Sequence, residues 1–275
     1  MKSILCFDLD MTLLDHKTWK IPESALYAIH VLRDSFRIVL ATGRNMDDIL
    51  GQPYKEQLHP DAIIHLNGSK IYVGDRVIFH HTMNPDLVHS LIAFSHEHGI
   101  CVGMHQDEFD YYTHPSLLEE VDRIRFGSSQ RNFADPYLLS QVPIFSLTFA
   151  GNSSQLALLK QYFPKLHFSV FSQGCMADIS ETGISKASAM RYLTSYWGLS
   201  MESVIAFGDS MNDFELMKEV GTSIAMGNAC QELKDIADFV TTDIDQDGIL
   251  YACFHLGLLK NGGPDNGKFR FTNRK

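Results

Sequence analysis

Asp8 and Asp10 close the first apolar run of the chain, in the string Ile4-Leu5-Cys6-Phe7-Asp8-Leu9-Asp10-Met11-Thr12. Two more acids recur far downstream in Phe207-Gly208-Asp209-Ser210-Met211-Asn212-Asp213. Carboxylates gathered from distant segments repel one another, and burying them together is costly unless a cation neutralises them. A hard metal such as Mg²⁺ takes oxygen ligands and keeps waters and phosphate oxygens in its shell, so it is the natural occupant. Phosphate chemistry is therefore the first reading of these residues.

The elements that must position them follow from hydrophobic periodicity. Ile4 to Phe7 reads as a strand, Glu23 to Arg33 as a helix opening behind Pro22, and Ile38 to Ala41 and Ala62 to Leu66 as further strands. Their hydrophobicity is continuous rather than alternating, which says that both faces are covered, as in a parallel α/β sheet with crossover helices. Lys70 to His81 differs, with two alternating runs flanking Gly74-Asp75 that predict a hairpin. Asn84-Pro85-Asp86 starts and Gly99 stops a helix. Strand-like pieces at Cys101 to Met104, Phe109 to Thr113, Ile144 to Phe149 and His167 to Phe171, with a helix at Gln155 to Phe163, then read as α+β. The parallel rhythm resumes with a helix from Lys186 to Trp197 behind Ser185, a strand at Val204 to Phe207, a helix from Asp213 to Val220, a strand at Ser223 to Met226 and a helix near Gln231 to Ala237. The expected organisation is an α/β core built from residues 1–82 and 184–275, interrupted by an inserted α+β domain over 83–183. In an open α/β sheet the ligand crevice lies outside the carboxyl ends of the strands, where Asp8, Thr42 and Asp209 all fall.

Composition bounds the partners. A chain of 275 residues, 45% of them hydrophobic, can bury two modest cores, and a net charge of −10 argues against a nucleic-acid or anionic-membrane partner. Five scattered cysteines without a Cys-x-x-Cys pair suit reduced thiols. The acidic pair arrives too early for a signal peptide, and no long uncharged apolar stretch follows, so the expected location is the cytoplasm. Residues 261–275, Gly-rich and basic, read as a loose tail.

Taken singly, each motif has an ordinary structural use. Asp and Thr cap helices, Thr-Gly after a strand is turn chemistry, and a lysine in a first helical turn is usually solvated. Together and in this order they resemble the haloacid dehalogenase (HAD) superfamily of aspartate-nucleophile phosphotransferases. The first motif is Asp8-Leu9-Asp10-Met11-Thr12, the second lies at Thr42, the third at Lys186 and the fourth at Asp209 to Asp213. The insertion follows the second motif, and with Asn67-Gly68 and Met226-Gly227-Asn228-Ala229 it is similar to the Cof-type class (subclass IIB, type-two cap). That class implies a Rossmann-like core and an α+β cap closing over the site. The resemblance further implies that Asp8 attacks phosphorus to form an aspartyl-phosphate while Asp10 acts as acid and then base. Mg²⁺ would be held by Asp8, the Asp10 backbone carbonyl and Asp209, with Asp213 in support. Thr42, Gly43 and Lys186 would bind the phosphoryl oxygens, with Asn212 and Arg44 orienting phosphate or Lys186. The implied substrate is a small phosphorylated metabolite: a sugar phosphate, a phosphorylated cofactor or a nucleotide. A mutase, or a binding protein that lost turnover, stands as the alternative.

Two departures bear on this. Met11 stands where family members usually have Gly, and a positive φ there would strain the turn by roughly 1–2 kcal/mol. Ala187 replaces another frequent Gly at no cost in a helix. Asp243-Ile244-Asp245-Gln246-Asp247-Gly248 copies the opening of an EF-hand loop, but its twelfth position is Phe254, so its acids are expected to cap the helix near Gly248 instead. His96 and His98 do not share a helical face, which argues against zinc. Specificity is expected from the insertion, with His105 to Tyr112, Arg123 and Arg125 as candidates.

Overall fold

The computed structural model describes residues 2–259 apart from 50, 107 and 172–175. The predicted tail, Cys175 and Asp107 therefore lie outside the described residues, as does the side chain of Arg125. The strands are β1 (Ser3–Phe7), β2 (Phe36–Ala41), β3 (Ala62–His65), β4 (Lys70–Val73), β5 (Arg76–His80), β6 (Cys101–Gln106), β7 (Phe109–Tyr112), β8 (Leu147–Ala150), β9 (Leu166–Phe171), β10 (Met176–Glu181), β11 (Val204–Gly208), β12 (Thr222–Ala225) and β13 (Phe239–Val240). The helices are α1 (Glu23–Leu32), α2 (Gln52–Leu58), α3 (Pro85–Glu97), α4 (Ser116–Phe126), α5 (Ser153–Tyr162), α6 (Lys186–Tyr196), α7 (Phe214–Glu219), α8 (Gln231–Ile236) and α9 (Gly248–His255).

Eight strands form one sheet in the order β13-β12-β11-β1-β2-β3-β4-β5. Its first six are parallel, and β4 and β5 close one edge as the antiparallel hairpin. The chain moves from β1 towards β2 through α1 and, on the other side of β1, from β11 towards β12 through α7. Right-handed crossovers running in opposite directions place those helices on opposite faces, which is why the inner strands are apolar throughout. α1 packs on α9, and α6 packs on α7. The order reverses at β1, so a crevice opens at the carboxyl ends of β1, β2 and β11.

A second, antiparallel sheet has the order β7-β6-β8-β10-β9. It has its own core, in which Val102, Leu147, Phe149, Phe168 and Ile179 pack with Val88, Leu91 and Ile92 of α3. Its interior strand β10, between β8 and β9, lies outside the strands expected from periodicity, as does α4 among the helices. Ala, Asp and Ser are weak strand formers, and β10 exists because β8 and β9 flank it on both sides. The strand expected at Ile144 to Phe149 is shifted to Leu147–Ala150.

One expectation is corrected. α9 does start at Gly248, but none of the acids before it caps it through its side chain. Asp247 has φ 58°, outside the extended geometry from which a capping side chain reaches the first amides, and Asp245 instead pairs with Lys17. Among the described residues the cysteines are free thiols, and no helix is long and apolar enough to cross a membrane.

Candidate active site

β1 and β11 run in a register that pairs Phe7 with Phe207. One step further the Asp8 amide donates to the Phe207 carbonyl (3.1 Å), so Asp8 and Asp209 leave adjacent strand ends together. Thr42 leaves β2 on the other side of β1. Its amide donates to the Ile64 carbonyl (2.8 Å), and its buried hydroxyl accepts from the Arg44 amide (3.1 Å). Gly68, just past β3, has φ 100°, and a Cβ there would lie 2.2 Å from the Ser185 carbonyl oxygen. That close approach seats the start of α6 against the sheet. Ser185 and Ser188 form a reciprocal cap, which fixes the angle at which Lys186 enters.

Lys186 is 0% exposed, the opposite of a solvated first-turn lysine. Its Nζ lies 2.6 Å from Asp8 Oδ1 and 2.7 Å from Asp213 Oδ1. Burial alone would favour the neutral amine, but Asp213 and Asp8 outweigh it and hold the group above the ordinary lysine range. The second Asp213 oxygen accepts from the Asp209 and Ser210 amides (3.1 and 3.3 Å). Thr12 donates its hydroxyl to Asp209 Oδ1 (2.9 Å).

Asp8, Asp209 and Asp213 each offer an oxygen within 4.8 Å of the others. Burial, opposed by Lys186 and reinforced by Asp213 and Asp10, pushes the Asp8 carboxyl up to about 7. Burial together with Asp8 and Asp213 pushes Asp209 well above the carboxylate range. One lysine does not balance these charges. An all-oxygen donor set under mutual repulsion fits a hard cation.

Asp10 has a different environment. Arg44 grips it through Nε (2.7 Å) and a terminal nitrogen (2.6 Å), and His16 Nε2 lies 2.6 Å from its Oδ1. Burial would raise the Asp10 carboxyl, but the bonds from His16 and Arg44 carry it down to about 2. Arg44 is thus engaged with Asp10, not Lys186. Met11 has φ 60°, confirming the strained turn, and the loop is held by Asn228 Nδ2 donating to the Met11 carbonyl (2.8 Å).

A cavity of about 480 Å³ joins these groups, lined by Asp8, Asp10 and Asp209 together with Met11, His16, Gly43, Arg44, Ser210 and Asn212. From the second sheet its lining includes Asp178 on β10; His105 to Tyr112 and Arg123 are not among the described lining residues. Asp110 instead pairs with Arg131 (2.9 Å), which also binds Asp122. Sequence reasoning missed His16, Asn67 and Asp178 as site residues. His16 sits in a polar loop without periodicity, and Asp178 lies in a segment of weak strand formers that carries no motif.

The family model for haloacid dehalogenase-like hydrolases matches residues 5–253. The chain belongs to this family of hydrolytic enzymes. YkrA of Bacillus subtilis, named as a phosphatase, is 31% identical over 263 residues, covering 94% of this chain and 98% of the relative. The 5-amino-6-(5-phospho-D-ribitylamino)uracil phosphatase YitU of Bacillus subtilis is 26% identical over 265 residues, covering 90% of this chain and 94% of that one. Among solved structures, the HAD subclass IIB sugar phosphatase BT4131 superposes with a TM-score of 0.83 at 24% identity, over 94% of this chain and 100% of that one. The fold is thus that of the subclass IIB hydrolases, with homologues named as phosphatases.

Proposed function

We propose that this hydrolase is an Mg²⁺-dependent cytoplasmic phosphatase that cleaves a small phosphomonoester through an aspartyl-phosphate on Asp8. The observation that carries the reading is the convergence of the Lys186 ammonium, 2.6 Å from Asp8, with the carboxylates of Asp8 and Asp209. The phosphatase names of YkrA and YitU support it.

A carboxylate and a phosphate dianion repel each other, so attack needs fixed positive charge and directed donors. Lys186 supplies the charge, and Thr42 and Gly43 the donors, with Asn212 beside them. The Asp8 side chain, the Asp10 backbone carbonyl and Asp209 would hold Mg²⁺, which supplies charge neutralisation at the phosphoryl group when bound. Asp213 positions Lys186 and the Asp209 loop. In the first half-reaction an Asp8 oxygen bonds to phosphorus as the ester P–O bond breaks, and Asp10 gives its proton to the departing alkoxide. In the second a water oxygen attacks phosphorus, Asp10 takes the water's proton, and the bond from phosphorus to Asp8 breaks to release phosphate. Arg44 and His16 hold Asp10 as the carboxylate that the second half requires. Carrying a proton for the first half therefore requires Asp10 to let go of one of them. Residues 83–183 act as the cap over a small phosphorylated metabolite.

Phosphate release from an aryl phosphate and a metabolite panel, with and without Mg²⁺, tests this for the native chain and Asp8→Asn. The native chain is expected to turn over only with Mg²⁺, and Asp8→Asn to lose turnover. Equal rates in both proteins, or activity indifferent to chelation, overturn the proposal.

A further inference from the structure

Asp178 is an acid delivered to the site by the inserted sheet. It lies on β10 of the second sheet and lines the same cavity as Asp8, Asp10 and Asp209, which leave the first. A directed chain of hydrogen bonds fixes how it is presented. Ser210 Oγ donates to Asn212 Oδ1 (2.8 Å), Asn212 Nδ2 donates to Asn67 Oδ1 (3.1 Å), and Asn67 Nδ2 donates to Asp178 Oδ2 (2.6 Å). Each amide orientation is set by the one before, so the chain ends on a carboxylate oxygen that acts purely as an acceptor. Asn67 is itself buried, with φ 52°. Gly43 leaves room for this contact: a Cβ there would lie 2.9 Å from Asp178 Oδ2 and 3.1 Å from the Asn67 amide.

Only one Asp178 oxygen is engaged by this chain, and among the described residues no donor reaches the other. A carboxylate oxygen facing a cavity takes a ligand donor or water. Among the described residues no cation pairs with it directly, since Arg44 is engaged by Asp10 and Lys186 by Asp8 and Asp213, and Lys186 favours its charged form only from a distance. Burial pushes the Asp178 carboxyl up to about 6, with the Asn67 amide and Lys186 opposing.

Resting on the phosphatase reading above, we infer that Asp178 is a specificity-determining residue. Its cavity-facing oxygen accepts a hydrogen bond from a hydroxyl on the alcohol half of the phosphomonoester. It thereby favours hydroxylated, uncharged leaving groups and disfavours those that carry a second anionic group.

Three substrates separate these terms. Glycerol phosphate offers hydroxyls and no further charge, phenyl phosphate offers neither, and phosphoglycerate keeps a hydroxyl but adds a carboxylate. Asp178→Asn keeps a carbonyl oxygen for Asn67 and turns the cavity-facing acceptor into a donor. The ratio of kcat/KM for glycerol phosphate over phenyl phosphate is expected to fall about tenfold or more in the variant, chiefly through KM. Phosphoglycerate is expected to gain on glycerol phosphate by a comparable factor. A purely structural latch would shift all three substrates together, so equal changes, or unchanged ratios, overturn the inference. If Asp178→Asn does not melt cooperatively, Asp178→Ser puts the same ratios to the test. A native chain that releases no phosphate from any of the three overturns the phosphatase reading itself, a result distinct from an active enzyme whose ratios ignore residue 178.

Discussion

Replacing Lys186 by Met removes a buried charge while keeping most of the side-chain volume. The ammonium has 0% exposure and two carboxylate partners at 2.6 and 2.7 Å. Breaking a buried pair by removing one partner costs about 3–5 kcal/mol, because the other charge is left uncompensated. The geometry gives a similar figure. Two carboxylates within 4.8 Å of each other repel by about 3 kcal/mol or more at an effective dielectric near 20, and Lys186 is what screens Asp8 from Asp213. In chelator, Lys186→Met should therefore melt about 10 °C below the native chain. Adding Mg²⁺ should raise the variant's melting temperature by more than the native one's, since a cation that neutralises the same oxygens has more repulsion to relieve. Combining it with Asp213→Asn should recover at least about 1 kcal/mol relative to the sum of the single changes. Thermal melts with and without Mg²⁺, with urea titrations for the double-mutant cycle, read all three. A variant that melts with the native chain in chelator, or a cycle that is simply additive, would show that Lys186 does not hold these acids together.

Three further outcomes follow from single residues. His65 is fully buried, its Nδ1 accepts from the Met46 amide (3.0 Å) and its Nε2 has no partner among the described residues. Burial, opposed by Asp47, lowers its pKa from 6.5 to about 4, so between those values the unfolded chain binds more protons. Stability should then fall as pH falls through that window, by up to about 3 kcal/mol, and His65→Asn should flatten the slope in urea midpoints taken near pH 7 and pH 5. Met11→Gly should stabilise the fold by roughly 1 kcal/mol by relieving the φ of 60°, and a lower denaturation midpoint would contradict the strain. Thr12→Val removes the hydroxyl that orients Asp209, and should raise the Mg²⁺ concentration for half-maximal activity about tenfold or more, while an unchanged Mg²⁺ titration would count against that role.

The parallel core was legible because β1, β2, β3 and β11 are apolar on both faces, a pattern that solvent-exposed sheets do not show. Lys186 was legible only in company with the other motifs. Periodicity places it in the first turn of a helix but says nothing of the Gly68–Ser185 contact that draws that turn into the interior. β10 was illegible for the converse reason. Met176-Ala177-Asp178-Ile179-Ser180-Glu181 has little intrinsic strand preference, and its pairing with β8 and β9 is set by tertiary contacts. His16 and Asp178 went unnoticed as site residues because their roles depend on partners distant in sequence, Asp10 packed against Arg44 in one case and Asn67 in the other.

What distinguishes the five acids around the cavity is which oxygens already have partners. Asp213 has Lys186 on one oxygen and two loop amides on the other, so it holds neighbours in place and has little capacity left for a ligand. Asp10 is gripped on both oxygens by Arg44, with His16 added on one, so the acid role proposed for it would require a rearrangement. Among the described residues Asp8 and Asp209 each have a single side-chain donor, Lys186 and Thr12, on one oxygen. On the proposed mechanism, their remaining oxygens are the ones that would meet a cation or phosphorus. Asp178 also has one oxygen engaged, but by a neutral amide, and it faces the crevice from the inserted sheet. On the proposed mechanism, identical side chains would separate into support, proton transfer, attack, cation binding and leaving-group selection through their hydrogen-bond partners. Exchanging a partner should therefore change an acid's role without touching the acid itself. Arg44→Met, which frees Asp10 from its guanidinium, should raise the apparent pKa of the general base in the pH–rate profile, and an unshifted profile would break the link between partner and role.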